Sequence, residues 1–307
     1  MSLLSIPQTI RLPITRYRFL PLILLSITFL LAVVGYSMRG LNLGVDFRGG
    51  LLIEAKVSAL SDLNDLRHKL KEMFHKEFSI QEAGRGEQVL LIRTEPVPET
   101  KPLLEQMKQV LGQDVVYRRV ESVGPKVGEE LILDSLYAIG WALLLIMAYV
   151  WIRFEWQFSL GALVALLHDC LGLLVFFIIS QKEFNEGAVV ALLITASYSI
   201  NDTVIIFDRI RENRFFKKGS SFDHIITCSI NETLSRTLLT SMTTLLALGM
   251  LYLFGGEVIS AFSLPIFFGI LIGTYSSIMI AVPLLRFFPL SVEEGKKPDR
   301  ELGKTPL

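Results

Sequence analysis

Six apolar runs of membrane length set the plan of this chain, and the polar sequence between them is short except in one place. The runs are Phe19–Tyr36, Leu131–Ile152, Phe158–Ser180, a fourth from about Gly187 to the charged stretch Asp208–Asn213, Leu234–Phe254 and Ala261–Leu285. A helix rises about 1.5 Å per residue, so about 20 apolar residues cross a bilayer core. The pattern therefore predicts a membrane α-helical bundle with six transmembrane helices. The first run follows a basic tail holding Arg11, Arg16 and Arg18, as the core of a secretory signal would. It exceeds the usual ~7–15 residues of such a core. It ends in Ser37-Met38-Arg39 with no small-x-small cleavage site, so a retained helix is expected.

Between the first two runs the period changes. Leu51–Val57, Phe78–Glu82, Gln88–Arg93 and Val115–Val120 read as strands, with a turn at Gly84-Arg85-Gly86. Ser61–Lys76 and Glu99–Leu111 carry apolar residues at helical spacing, among them Leu63, Leu66, Leu70, Leu103 and Met107. The order β-α-β-β-α-β predicts a small α+β, ferredoxin-like domain outside the membrane, between helices 1 and 2. His68 and His75 read as part of its solvated surface, and no metal site is expected. Ahead of it stands Gly44-Val45-Asp46-Phe47-Arg48-Gly49-Gly50. Gly44, Gly49 and Gly50 allow positive φ and close backbone approach, and Asp46 with Arg48 reads as a buried pair, so a built junction is expected here. The boundaries are a tail 1–18, a first transmembrane helix 19–36, the external domain 37–130, helices two to six over 131–288, and a tail 289–307.

Composition agrees with a membrane protein and narrows the chemistry. The 307 residues are 51% hydrophobic, with mean hydropathy +0.49. A formal net charge of zero gives no reason to expect nucleic acid or an acidic substrate. Cys170 and Cys228 have no partner pattern and read as free thiols. No nucleotide-binding glycine loop, HExxH or GxSxG appears, so neither a nucleotide cofactor nor an enzymatic nucleophile is expected. The basic residues settle an expected orientation. The charges of Asp208–Asn213 mark re-emergence into water, and the expected loop Asp208–Asn231 holds Arg209, Arg211, Arg214, Lys217 and Lys218. Lys296, Lys297, Arg300 and Lys304 lie in the C-terminal tail, whereas Lys182 stands alone opposite them. Both termini are expected in the cytoplasm and the external domain on the other side, because a long loop escapes the positive-inside rule.

One stretch carries the candidate chemistry: Ser197 to Arg209, with Asn201 and Asp202 inside the fourth run. A carboxylate in hydrocarbon is costly and usually marks an ion path. The bland alternative is a carboxyl hydrogen-bonded to Ser199 or Thr203 on its own helix. Arg236 lies within about two turns of the same boundary on the antiparallel fifth run, so the two could pair. Its alternative is snorkelling to the headgroups. Thr240, Thr243 and Thr244 continue its face, for a proton path or for ordinary packing. His168 and Asp169 lie mid-membrane in the third run, for a relay or a structural role. Gly269, Gly273 and Ser277 form a small-xxx-small face suited to close helix packing.

Taken together, these pieces resemble the SecD/SecF family of protein-export membrane proteins, a branch of the RND superfamily, and within it the smaller, SecF-type subunit. The resemblance rests on Gly44–Gly50, Glu121-Ser122-Val123-Gly124-Pro125, Arg153-Phe154-Glu155, His168-Asp169, Tyr198–Thr203, Phe207–Asn213, Leu234–Thr237 and Gly273–Ser277, in family order over most of the chain. Ser197 and Met242 stand where smaller residues are usual.

The resemblance implies an RND-like half that pairs with SecD in a twelve-helix unit of the bacterial inner membrane. It implies use of the proton-motive force, with no other cofactor, to assist late translocation of preproteins leaving the SecYEG channel. Asp202 would be a proton-pathway carboxylate, Arg236 its basic neighbour, and SecD the candidate neighbour of the Gly269 face. The rival readings are a self-sufficient RND-type small-molecule exporter and an intramembrane enzyme built on His168, Asp169 and a serine.

Overall fold

The computed structural model describes residues 19–57, 63–74, 78–83, 89–95, 97, 100–217 and 219–288. Both tails, the Gly84-Arg85-Gly86 turn, His75 and Lys218 lie outside these residues. The chain divides into two compact units, one made of Leu41–Ala138 with Lys182–Val189, the other of the remaining chain.

In the first unit, β1 (Gly50–Lys56), β2 (Phe78–Ala83), β3 (Val89–Thr94) and β4 (Val116–Val123) form one sheet in the order β2-β3-β1-β4. Every neighbouring pair is antiparallel. α1 (Leu20–Arg39) precedes this unit, and a four-residue helix α2 (Val45–Arg48) leads into β1. α3 (Leu63–Phe74) and α4 (Thr100–Leu111) complete the order β-α-β-β-α-β. The inward positions of the strands, Leu51, Ile53, Ile80, Leu90 and Ile92, share one core with Leu66 and Leu70 of α3 and Leu103 and Met107 of α4. Tyr117 Oη donates to Leu104 O at 2.7 Å, and burial pushes this phenol up to about 12.

The second unit holds the membrane helices. With α1 they are α5 (Pro125–Arg153), α6 (Trp156–Ser180), α7 (Glu186–Phe216), α8 (Phe222–Phe254) and α9 (Gly256–Ser276). α9 continues through a π-helical turn, Ser277–Ala281, into α10 (Val282–Leu284) and a 3₁₀ turn, Leu285–Phe287. Six helices of this set are long and apolar enough to cross a membrane. α6 is the central one, burying Phe158, Ala162, Ala165, Leu166, Leu173 and Phe177. α5 by contrast turns Trp141, Leu145, Tyr149, Trp151 and Ile152 outward. A helix with so little buried surface needs lipid or another chain to cover it.

One sequence expectation is corrected here. Asp208–Asn231 is not a loop: α7 runs to Phe216 and α8 begins at Phe222. The charges that suggested an exit into water pair with each other along and between these helices. Arg209 binds Glu212 and Glu232, both at 2.6 Å, Asn213 reaches Ser229 at 2.9 Å, and Lys217 binds Glu232 at 3.0 Å. Arg214 reaches Glu155 at 2.9 Å. α5 begins at Pro125, ahead of the apolar run that starts at Leu131, with proline supplying a first-turn residue that lacks an N–H in any case.

Candidate functional site in the membrane helices

Asp202 and Asp169 are both fully buried in the membrane unit, at 0% exposure each. Their surroundings differ. Asp169 Oδ1 meets His168 Nδ1 at 3.2 Å, and its Oδ2 accepts from Ser199 Oγ of α7 at 2.5 Å. His168 Nε2 lies 3.0 Å from Thr28 Oγ1 of α1 and 3.0 Å from Tyr275 Oη of α9. With Nδ1–H directed at Asp169, Nε2 is the acceptor for a hydroxyl. Four helices thus meet on one His–Asp pair. Ser199 touches the carboxylate rather than the imidazole, and hydroxyls occupy the remaining ring nitrogen. Among the described residues no serine is placed for the imidazole to activate as a nucleophile.

Asp202 has no such partners. Neither carboxylate oxygen has a hydrogen-bond partner among the described residues. The two own-helix partners expected from sequence are engaged elsewhere: Ser199 with Asp169, and Thr203 Oγ1 with Ser277 Oγ of the π turn at 2.8 Å. Ser277 in turn donates to Ser199 O at 3.1 Å and Gly273 O at 2.9 Å. α7 is therefore held on both sides of Asp202 while the carboxylate itself is left unbonded.

Arg236 makes no hydrogen bond to Asp202, whose two carboxylate oxygens are without a partner among the described residues. On α8 the buried stripe is Thr233, Thr237 and Ser241, and Arg236 falls one residue off it, exposed. One residue is about 100° of helix rotation, which turns the guanidinium away. The threonine face behind it is also spoken for: Thr240 Oγ1 donates to Arg236 O at 3.1 Å and Thr243 Oγ1 to Leu239 O at 3.0 Å. Thr244 donates to Thr240 O at 3.0 Å and meets Tyr198 Oη at 3.2 Å. Asn201 is exposed on α7, where it lines a shallow groove with Val190, Leu193, Ile194, Ser197 and Tyr198.

The small-residue face of α9 packs within this chain. A Cβ on Gly269 would overlap Thr195 Oγ1, and one on Gly273 would lie 2.9 Å from Ser199 Cβ. Its neighbour is α7, not a partner subunit.

The glycine-rich junction is built as expected in its backbone and not in its charges. Gly49 has φ 70° and Gly50 φ 135°, and a side chain on Gly50 would meet Thr94 O at 2.8 Å. Asp46 and Arg48 are not a buried pair. Arg48 is exposed, and Asp46 Oδ2 accepts instead from the backbone N–H of Glu186 at 3.4 Å. His68 is exposed, and no cluster of metal-binding side chains occurs among the described residues. Thr28 had no signal of its own, because a lone threonine in an apolar run gives no clue to its tertiary partner. Ser199 and Tyr275 lie inside segments that carry the family resemblance, but their bonds to Asp169 and His168 emerge only when the helices pack.

Comparison with known proteins agrees over nearly the whole chain. A family model described as "Protein export membrane protein SecD/SecF, C-terminal" matches residues 103–290, and one described as "SecD/SecF GG Motif" matches residues 37–59. Protein translocase subunit SecF of Rickettsia bellii is 43% identical over 267 residues, covering 84% of this chain and 87% of that protein. The SecF subunit of Desulfurispirillum indicum is 37% identical over 287 residues, covering 90% and 91%. The crystal structure of SecDF, a translocon-associated membrane protein from Thermus thermophilus, matches with TM-score 0.80 at 30% identity. That match covers 92% of this chain and 39% of the SecDF chain, so the chain spans about two-fifths of that solved protein.

Proposed function

Because this chain belongs to the SecD/SecF family of protein-export membrane proteins, and within it to the protein translocase subunits SecF, we propose that it couples the proton-motive force to preprotein export. In this reading it pairs with SecD in the bacterial inner membrane and assists late translocation of preproteins leaving the SecYEG channel. Both termini are cytoplasmic, and the external domain, read as ferredoxin-like from its element order and pairing, contacts the partner or the emerging chain. The proton gradient is the energy source, and no cofactor is needed.

The observation that carries the reading is Asp202. An ionisable group inside a membrane helix, fully buried and without a hydrogen-bond partner, is expensive to keep for structure alone. Gaining and losing a proton gives it a use. Arg236 then acts at a distance as the cation that favours the charged form, with no direct contact to break. Asn201 and Thr240 flank this pair on α7 and α8, and His168 and Asp169 hold the helices around it. The exporter and enzyme readings have no comparable support, since the His–Asp pair is enclosed by packing bonds.

The test is preprotein translocation with and without a proton gradient, in membranes carrying Asp202→Asn at wild-type levels of both subunits. The gradient-dependent part of export is expected to disappear while the complex still assembles. Unchanged gradient dependence would make Asp202 a packing residue and place energy coupling elsewhere.

A further inference from the structure

The turn between α6 and α7 needs only to reverse the chain, yet it is bonded into the glycine-rich junction by contacts of several kinds. Phe184 N–H donates to Asn42 O at 2.8 Å, and Gly44 N–H donates to Phe184 O at 2.9 Å, which makes a parallel bridge between Leu43 and Phe184. The Phe184 ring lies 5.8 Å from that of Phe47. Glu183 forms an ion pair with Arg93 of β3. Asp46 receives the N–H of Glu186, placing a carboxylate at the positive end of α7. A Cβ on Gly44 would come 3.1 Å from Asn185 Cβ, and one on Gly128 would lie 2.8 Å from Phe47 O, so close approach depends on both glycines.

The ion pair has a clear reason to exist. Arg93 is half-buried, and burial first and nearby Arg48 second push its guanidinium below the usual range. Glu183 supplies a carboxylate directly to this guanidinium. The bonded segment Lys182–Val189 belongs to the same compact unit as the external domain. It also contains the first turn of α7, which then runs unbroken to Phe216. Asp202 stands sixteen residues past Glu186, about 24 Å along that helix.

We propose that Asn42–Gly50 is a seat for the loop Lys182–Asn185, and that Glu183, Phe184 and Arg93 are positioning residues that link the external domain to the helix carrying Asp202. The inference rests on the ion-path reading above. A stiff helix anchored at one end in the external unit transmits a displacement at Asp202 to that unit, and the reverse. Gly44 lets the loop's backbone approach, and Gly128 lets the start of α5 approach Phe47.

The experiment uses the complete complex in sealed membrane vesicles. Gradient-driven proton movement is followed with a pH-sensitive dye, and gradient-stimulated preprotein export is followed in parallel. Glu183→Gln, Arg93→Gln and Phe184→Gly are expected to leave proton movement near wild type. The same three lower gradient-stimulated export about five-fold or more, the scale of a typical coupling free energy. The double variant Glu183→Arg with Arg93→Glu restores export, which keeps the test valid where one single variant folds poorly. Export at the wild-type level in all three single variants, or proton movement and export falling in proportion, overturns the proposal. Asp202→Asn run alongside separates the two readings. If it alone abolishes gradient dependence, the seat fails and the ion path stands. If the loop variants alone abolish it, the ion-path reading at Asp202 fails, and the coupling role proposed for the seat, which rests on it, is overturned with it.

Discussion

Two carboxylates with equal burial predict opposite consequences. Asp169 serves His168 and Ser199, so Asp169→Ala strands a ring N–H and a hydroxyl in a closed site. Each orphaned group costs about 1–3 kcal/mol, and the variant should unfold at a clearly lower temperature in detergent micelles. Asp202 serves nothing, so Asp202→Asn removes a buried charge without stranding a partner. Its unfolding temperature should match or exceed that of the wild type. A loss of activity without a loss of stability at Asp202, and the reverse order at Asp169, is the expected pattern in thermal unfolding and export assays. The position of Asp202 was legible in the sequence because depth within an apolar run is a one-dimensional property. The division of labour between Asp202 and Asp169 was not. It depends on Ser199, one turn before Asp202, pointing at α6 rather than along its own helix.

At the scale of elements, spacing foretold faces better than it foretold neighbours. The small-residue period on the last span is real, but its neighbour is α7, where Thr195 and Ser199 fill the places opposite Gly269 and Gly273. Gly269→Ala places a methyl group against Thr195, an overpacking worth about 1–3 kcal/mol. Thr195→Ala should relieve part of it, and a double-mutant cycle read by unfolding in micelles should return a coupling of about 0.5–3 kcal/mol. Gly140 of α5 is the control, since a Cβ there meets nothing within 4 Å. Gly140→Ala is expected to be neutral or to stabilise by up to about 1 kcal/mol through helix propensity. Hydropathy misjudged the ends of α7 and α8 for a related reason. It measures transfer into lipid, whereas a helix continues wherever its charges find partners, as Arg209, Asn213 and Lys217 do around Glu232.

For the whole molecule the remaining question is which way it faces. In the proposed topology six spans place both termini on one side, and the positive-inside rule, applied to Arg209, Arg211, Arg214 and Lys217 beyond the fourth span, makes that side the cytoplasmic one. Most of these charges sit on helices rather than in a loop. This does not weaken the rule, which counts basic residues near the ends of spans whatever their local structure. The alternation of the external domain was readable from sequence because β1, β2 and β3 send alternate residues, Leu51 and Ile53, Phe78 and Ile80, Leu90 and Ile92, into the core shared with α3 and α4. Its attachment to Lys182–Val189 was not, because Phe184 and Leu43 are far apart in sequence and carry no pairing signal. Orientation is checked by single cysteines in a background where Cys170 and Cys228 are serine. Asp114→Cys, in the turn after α4, should react with a membrane-impermeant maleimide added to intact spheroplasts. Ser220→Cys, in the turn between α7 and α8, should react only after the membrane is opened. Labelling in the opposite order would put the external domain in the cytoplasm, where it could not meet an exported chain, and the export reading would fall with it.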